Sequence, residues 1–341
     1  MTRVTIRDVA KETKLSITTV SLVLNDRPNS IPAATKQRIF AATKKLGYVP
    51  NQVARALVTQ QSNVIGLLIP DISNVFFAVL AKSVEREASC YDYRTLLCDL
   101  DNSHADPISY LRMLYQNNVK SVIMAGAQDQ EYCREVCSAM ENFGMTAVFA
   151  DQRVDDERFD WIAVDNRKGA MLAMNYLLRL GHRRIGCIQG PESYSDSRER
   201  MEGVEEACSQ RGVTLDKRLI YNGDFNFESG VAGGTELIEK GATAIFAFND
   251  MMAYGIWEAA RNAGKRIPQD ISVVGFDDLL FSKFMSEPLT TVYQPVEEIG
   301  RKAVQILMRS INGNRNIREG ILLEPTFVAR SSAVEFKGEN M

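Results

Sequence analysis

Histidine is scarce in this chain, which has only His104 and His182 among 341 residues. General acid–base catalysis near neutral pH therefore has few groups to use. The sequence shows no Ser-His-Asp order and no phosphate-binding loop ending in Gly-Lys-Ser/Thr. The glycine-rich stretch 230–234 fits no dinucleotide-binding spacing. We therefore expect a protein that is not an enzyme, with no catalytic residues and no cofactor.

Long apolar runs are also absent, and none approaches the ~20 residues that a membrane-spanning helix needs. The polar N-terminus lacks the apolar core of a secretory signal. The six cysteines are scattered through a chain too large to need disulfides, so we expect free thiols in a reducing cytoplasm. Cys133 and Cys137 have no histidine near them in sequence, and no metal site is expected.

Positive charge is concentrated at the N-terminus. Residues 1–62 hold ten Lys and Arg against three acids, a net charge of +7, whereas the remainder holds 30 basic and 40 acidic residues, a net charge of −10. A cationic head on an acidic body is typical of a protein that binds a polyanion such as DNA. Charge alone also allows a solvated cluster that binds nothing.

The first 50 residues have the pattern of three short helices. Thr5 is placed to cap the first helix and Ser16 the second, which is expected over 17–24. A third helix is expected over 32–46, with Gly47 ending it. Small and β-branched side chains at the start of the second helix are suited to touch base edges in a major groove. This arrangement predicts a helix-turn-helix.

The segments VTIRDVAKETKLSITTVSLVLN and LGYVPNQVARAL closely resemble the LacI/GalR family of bacterial transcription regulators, and the resemblance extends to about residue 330. It implies a DNA-binding headpiece over 1–50, a hinge helix and linker over 51–62, and an effector-binding and dimerisation body over 63–335. It places Ile17, Thr18 and Leu22 at base-reading positions. Many members carry arginine where this chain has Leu22, so the operator should differ at that base pair.

The resemblance also assigns a role to the hinge. Residues 51–57 form a helical pattern of two turns, too short to be stable alone in water. Two copies would pack in the minor groove, where Leu57 wedges between base steps beside Ala54 and Arg55 lies near the phosphates. An ordinary linker helix is the alternative. The full set expected to contact DNA is Thr5, Ser16, Ile17, Thr18, Thr19, Ser21, Leu22, Asn25, Asn51, Ala54, Arg55 and Leu57.

Beyond residue 63, strand-length apolar segments alternate with helix-length segments. Strands are expected over 64–69, 95–98, 121–124 and 147–150, and again over 184–188, 219–221, 244–247 and 271–274. This rhythm predicts an α/β body of two doubly wound lobes with buried parallel strands and a cleft between the lobes. The body resembles periplasmic binding proteins. Lobe 1 is expected over about 63–161 and 292–323, and lobe 2 over about 162–291 and 324–335.

Polar and aromatic side chains cluster after the ends of these strands. Carboxylates, an amide and a guanidinium can bind vicinal hydroxyls, and phenyl rings can face a sugar ring. The resemblance matches five of them to effector-contact positions: Asp151, Arg200, Phe225, Asn249 and Asp277. The full expected set is Asp71, Asn74, Phe76, Asp151, Arg198, Arg200, Phe225, Asn249, Asp277 and Gln294. Two alternatives stay open: Asp250 and Asp278 as caps of following helices, and Asp277 with Arg200 as a structural pair between lobes.

The leading interpretation is a cytoplasmic repressor that binds a palindromic operator in double-stranded DNA as a homodimer, because each headpiece offers one recognition helix. A small-molecule effector, with a sugar or sugar derivative favoured, would switch it. The C-terminus has no leucine heptads, which favours a dimer over a tetramer. The alternatives are a phosphoprotein coeffector, as in the family's catabolite-control branch, and a solute receptor that binds no DNA. No membrane partner is expected.

Overall fold

The chain divides into two compact units, Met1–Ser62 and Asn63–Met341. The structure, a computed structural model, describes residues 4–24, 30–48, 62–100, 106–126, 130–313 and 319–338. The hinge pattern over 51–57 lies outside these ranges. So do five of the residues expected to contact DNA, namely Asn25, Asn51, Ala54, Arg55 and Leu57.

The N-terminal unit is built from three helices. They are α1 (Ile6–Thr13), α2 (Ile17–Leu24) and α3 (Ala33–Leu46). Buried apolar residues from all three, among them Val20 and Ile39, form a small core. Lys14 ends α1 and Gly47 ends α3, both in the left-handed conformation that lets a chain leave a helix. Pro32 is the N-cap of α3, so that helix begins one residue later than expected.

Lobe 1 contains a six-stranded parallel sheet in the order β11-β5-β4-β3-β1-β2. The strands are β1 (Val64–Ile69), β2 (Arg94–Asp99), β3 (Ser121–Ala125), β4 (Thr146–Ala150), β5 (Asp160–Val164) and β11 (Gly320–Leu323). Helices α4 (Val75–Ser89) and α11 (Val296–Ile311) cover one face, and α5 (Pro107–Gln116) and α6 (Gln130–Asn142) cover the other. Neighbouring side chains such as Leu67 and Leu68 therefore enter different cores, as the period of two along a strand requires.

Lobe 2 contains a four-stranded parallel sheet in the order β7-β6-β8-β9. The strands are β6 (Ile185–Gln189), β7 (Ile220–Asn222), β8 (Ala244–Ala247) and β9 (Ser272–Val274). Its helices are α7 (Asn166–Arg179), α8 (Ser195–Gln210), α9 (Phe227–Glu239) and α10 (Asp250–Asn262). A short antiparallel pair, β10 (Thr291–Tyr293) with β12 (Thr326–Val328), lies in the segments that cross between the lobes.

The predicted helix-turn-helix and two-lobed α/β architecture are confirmed, with two local differences. β5 stays in the lobe 1 sheet through Val164, so the first crossing comes about three residues later than expected. The expectation that β2 is buried was wrong, because β2 lies at the edge of the sheet and, among the described residues, pairs only with β1. Leu96 and Leu97 on β2 are 39% and 42% exposed. Among the described residues, no helix combines the length and apolarity that crossing a bilayer requires.

Candidate DNA-binding surface and ligand cavity

The second helix presents an open face at its N-terminal end. The Ser16 hydroxyl accepts a hydrogen bond from the Thr19 backbone N–H at 3.1 Å and lies 2.8 Å from the Thr19 hydroxyl, which satisfies a free donor at the helix start. Ile17 is 45% exposed and Thr18 is also exposed. Because Val20 on the opposite face is buried in the headpiece core, the orientation of α2 is fixed.

The other described residues of the expected DNA surface are less accessible or already bonded within the headpiece. Ser21 and Leu22 are half-buried along α2. Thr5 precedes α1, where its backbone N–H and its hydroxyl both donate to the Asp8 carboxylate at 2.8 Å. These hydrogen bonds lower the pKa of Asp8. Thr5 therefore holds the start of α1, and its contact with DNA stays a prediction.

A cavity lies between the lobes at the carboxyl ends of their strands. Eight of the ten residues expected to bind an effector line it: Asn74, Phe76, Asp151, Arg200, Phe225, Asn249, Asp277 and Gln294. Four polar side chains of the cavity were missed: Tyr194, Ser195, Asp196 and Asp224. A signal existed for Asp224, which lies two residues past the end of β7, whereas Asp196 lies in the first turn of α8 rather than at a strand end.

Asp71 and Arg198 do not line this cavity, which corrects two expectations. The Asp71 carboxylate instead accepts the Ser73 backbone N–H at 2.7 Å in the turn after β1. The Arg198 guanidinium donates to the carbonyls of Glu192 and Ser193, and Arg198 lines a separate outer cavity. Positions two apart on a helix point roughly 200° from each other, so Arg198 cannot share the direction of Arg200 on α8.

Arg200 is a buried cation whose position is fixed by protein contacts. Its Nε donates to the Asn166 side-chain oxygen at 2.8 Å, and its Nη1 donates to the Phe248 carbonyl. The guanidinium lies 3.9 Å from the centroid of the Phe276 ring. Arg200 and Asp277 both belong to lobe 2, so the alternative of a structural pair between lobes was wrong.

Two hydrogen-bond acceptors in the cavity are buried and have no partner among the described residues. They are Asp151 Oδ1 and Gln294 Oε1. The pKa of Asp151 is raised to about 8, mainly by burial and also by the nearby charge of Asp196, while Arg200 opposes the shift. The Asp277 carboxylate accepts the Gln294 amide N–H at 2.7 Å, and burial raises the pKa of Asp277 well above its usual range. The cavity thus contains two buried oxygen atoms that a ligand can satisfy by donating hydrogen bonds.

The cavity is also a place of unusual backbone conformation. Asp151, Phe225, Asp277 and Asp278 all have positive φ angles, between 58° and 122°. Non-glycine residues adopt positive φ angles rarely, at a cost of about 1–3 kcal/mol each. Residues with such strained backbone tend to occur at ligand sites.

Asn249 joins two parts of the cavity wall. It is the N-cap of α10, where its side-chain oxygen accepts the Met252 N–H at 2.9 Å, and its side-chain amide donates to the Phe225 carbonyl at 2.8 Å. The capping alternative for Asp250 was therefore wrong. It was also wrong for Asp278, which forms a 2.5 Å ion pair with Arg330.

A helix-turn-helix unit joined to a two-lobed α/β body with a polar cavity defines a ligand-responsive DNA-binding regulator. Residues 5–51 match the bacterial regulatory proteins of the lacI family, and residues 174–333 match the periplasmic binding protein-like domain. The HTH-type transcriptional regulator DegA of Bacillus subtilis is 35% identical over 97% of this chain and 98% of its own length. The HTH-type transcriptional repressor PurR of Photobacterium profundum is 32% identical over 96% and 98%. The chain belongs to the LacI family of bacterial transcription regulators.

Solved structures agree with this assignment. The lac repressor dimer bound to operator and the anti-inducer ONPF superposes with a TM-score of 0.87, at 27% identity over 98% of this chain and 100% of that one. The complex of the regulator CelR with cellobiose gives 0.74, at 27% identity over 97% and 100%. A LacI family regulator from Enterococcus faecium with bound ribose gives 0.73, at 29% identity over 80% and 100%. This chain is a DNA-binding transcriptional regulator, and its relatives are not enzymes.

Proposed function

We propose that this regulator binds a palindromic operator as a homodimer and that a free sugar in the interlobe cavity switches its affinity for the operator. The observation that carries the proposal is the pair of buried acceptors without a partner among the described residues, Asp151 Oδ1 and Gln294 Oε1. A buried acceptor left unpaired costs about 1–3 kcal/mol, so a ligand that donates to both gains that energy on binding.

Sugar hydroxyls supply such donors at closely spaced positions. The rings of Phe76, Phe77 and Phe225 line the same cavity and offer apolar faces for the carbon skeleton of a sugar. The ribose and cellobiose bound to the two related regulators support this ligand class.

The charges of the cavity favour a free sugar over a sugar phosphate. Among the described residues that line it, four acidic side chains, those of Asp151, Asp196, Asp224 and Asp277, accompany one cation, Arg200. The Nε and Nη1 of Arg200 are already occupied by protein acceptors. Burial already disfavours the ionised forms of Asp151 and Asp277. A phosphate would bring a charge of about −1.5 to −2 into the same cavity, with little of that cation left to pair with it. We infer that phosphorylation of the ligand weakens binding.

Two exposed apolar features support the homodimer. The first is Leu96 with Leu97 on the edge strand β2. The second is segment 280–284, in which Leu280, Phe281 and Phe284 are 61%, 58% and 75% exposed. Neighbouring exposed apolar side chains mark interaction sites more often than isolated ones do. A second copy of this chain would also supply the second recognition helix that a palindrome requires.

The proposal is tested by fluorescence anisotropy against a pool of short palindromic duplexes at two salt concentrations. Titrations are run without sugar and with D-ribose, cellobiose or ribose 5-phosphate, and the Asp151→Asn variant is the matched control. We expect tight, salt-steep binding to one palindrome that a free sugar alters, with a weaker response in the variant. Indifference to every free sugar, with a response to ribose 5-phosphate or to an added phosphoprotein, would contradict the free-sugar proposal.

A further inference from the structure

A buried carboxylate, that of Asp250, joins the start of α10 to two other segments of the body, the loop over 277–284 and the strand β10. It is fully buried and accepts hydrogen bonds from the Leu279 backbone N–H at 2.8 Å, the Ser282 hydroxyl at 2.6 Å and the Thr291 hydroxyl at 2.6 Å. These donors lie before segment 280–284, within it, and on the crossing strand β10. In an interior without water, loss of one donor leaves part of the carboxylate unpaired, which is energetically costly. The three hydrogen bonds therefore stabilise one another.

Asp250 does not line the ligand cavity, but its neighbours do. Asn249 precedes it in the chain and caps α10, and Asp277 lies two residues before Leu279. The loop that carries Asp277 has the left-handed backbone described above, a conformation that persists only where surrounding contacts determine it. The bond from Leu279 to Asp250 is such a contact.

The carboxylate fits its site closely. A β-carbon on Gly275 would fall 2.3 Å from Asp250 Oδ1, so the absence of a side chain at Gly275 makes room for it. The same oxygen accepts the hydrogen bond from Thr291. The position of Asp250 is therefore determined from several sides.

On the outer side of these contacts lies segment 280–284. Ser282 is fully buried between the exposed side chains of Leu280, Phe281 and Phe284. Its hydroxyl donates to Asp250 and lies 2.7 Å from the Tyr254 hydroxyl. Within this segment Ser282 thus faces inward while its apolar neighbours are exposed.

We propose that Asp250 is a positioning residue that fixes the cavity loop 277–279 and segment 280–284 as one unit. The geometry of the cavity carboxylate Asp277 and that of the surface offered to a second copy then depend on each other. Asp250 itself touches neither ligand nor partner. This inference rests on the proposed function, in which segment 280–284 contacts a second protomer.

The test uses two conservative variants of the full chain, Ser282→Ala and Thr291→Val. Each removes one hydroxyl donor to Asp250 and alters no exposed side chain, since both residues are fully buried. Thr243→Val is the matched control, because it removes a lobe 2 hydroxyl that lies 3.0 Å from His182 Nδ1, away from Asp250. The dimer dissociation constant is measured by sedimentation over a dilution series. Amide hydrogen exchange is measured on peptides that span 277–284.

Both readouts should move together in the two variants. We expect a dimer dissociation constant raised about tenfold and exchange over 277–284 accelerated by a similar factor, the size of effect that loss of one buried hydrogen bond to a carboxylate produces. The control should stay within about twofold of the wild type on both readouts. A lower unfolding temperature with unchanged exchange and dimerisation would show a purely structural role and overturn the proposal.

If the chain does not form the proposed homodimer, the same experiment gives a result that differs from failure of the positioning role. A wild-type chain that stays monomeric at micromolar concentration contradicts the proposed function but leaves the exchange comparison intact. Faster exchange over 277–284 in both variants would then still support the positioning role, and unchanged exchange would overturn it.

Discussion

The ring of Phe225 lies directly over Gly190. A β-carbon built on Gly190 would fall 2.1 Å from Phe225 Cζ, closer than any real contact allows. Gly190 follows β6 and Phe225 follows β7, so this packing joins two strand ends of lobe 2 at the cavity wall. The aromatic face of the cavity therefore depends on a position without a side chain.

Substitution Gly190→Ala should displace the Phe225 ring and weaken sugar binding at least about tenfold, a loss typical of a misplaced binding group. Isothermal titration with the sugar identified by the operator assay measures the change. Gly186→Ala on the same strand is the control, because its new β-carbon meets the flexible end of Leu237 at 2.9 Å, away from the cavity. Equal losses of affinity in both variants would contradict a role for the Phe225 position.

Sugar binding should strengthen as pH rises toward about 8, the raised pKa of Asp151. Burial raises the pKa of Asp151 to about 8, so its carboxyl is mostly protonated at neutral pH in the empty cavity. A sugar hydroxyl donates best to the ionised form, so binding lowers this pKa and releases a proton, and affinity increases with pH up to about 8. The Asp151→Asn variant should lose the part of this pH dependence that Asp151 contributes and so show a shallower profile than the wild type. A wild-type affinity that falls with pH would contradict this sign.

The Leu22→Arg variant should prefer guanine at one position of each operator half-site. Leucine cannot make the bidentate contact that arginine makes to guanine, a contact that contributes about 1–3 kcal/mol of discrimination. Selection of operators from a randomised duplex pool, followed by sequencing, would reveal the change, with Leu22→Ala as the control. An unchanged preference in Leu22→Arg would show that this residue does not face a base.

Loss of the Ser16 cap should weaken operator binding without changing sequence preference. The variant Ser16→Ala leaves the Thr19 N–H without its side-chain acceptor, which costs about 1 kcal/mol of helix stability and so about fivefold in affinity at most. Anisotropy on the selected operator measures the effect. Gln37→Ala, at an exposed position on α3, should behave as the wild type. A change in the selected sequence itself would contradict a purely local capping role.

Much of the fold could be predicted because the apolar runs that form buried strands are unambiguous. The bounds of β1 and β8 match those expected at every residue, and most cavity residues followed from their place after strand ends. The burial of β2 could not be predicted, because the order of strands in a sheet is a tertiary property. Arg198 was misplaced because the sequence does not show how α8 is rotated about its axis. The three partners of Asp250 lie 29 to 41 residues away in the chain, beyond any local pattern.

The residues with positive φ around the cavity affect which amino-acid substitutions this protein can accumulate under selection. Seven non-glycine residues have positive φ in the described part of the chain, and four of them, Asp151, Phe225, Asp277 and Asp278, lie in or beside the cavity. Glycine at these positions would relieve the backbone but remove the groups that meet a ligand. Selection for heat resistance alone should therefore enrich glycine substitutions at these four positions in its first rounds. The selected variants would still bind DNA but would no longer respond to a sugar.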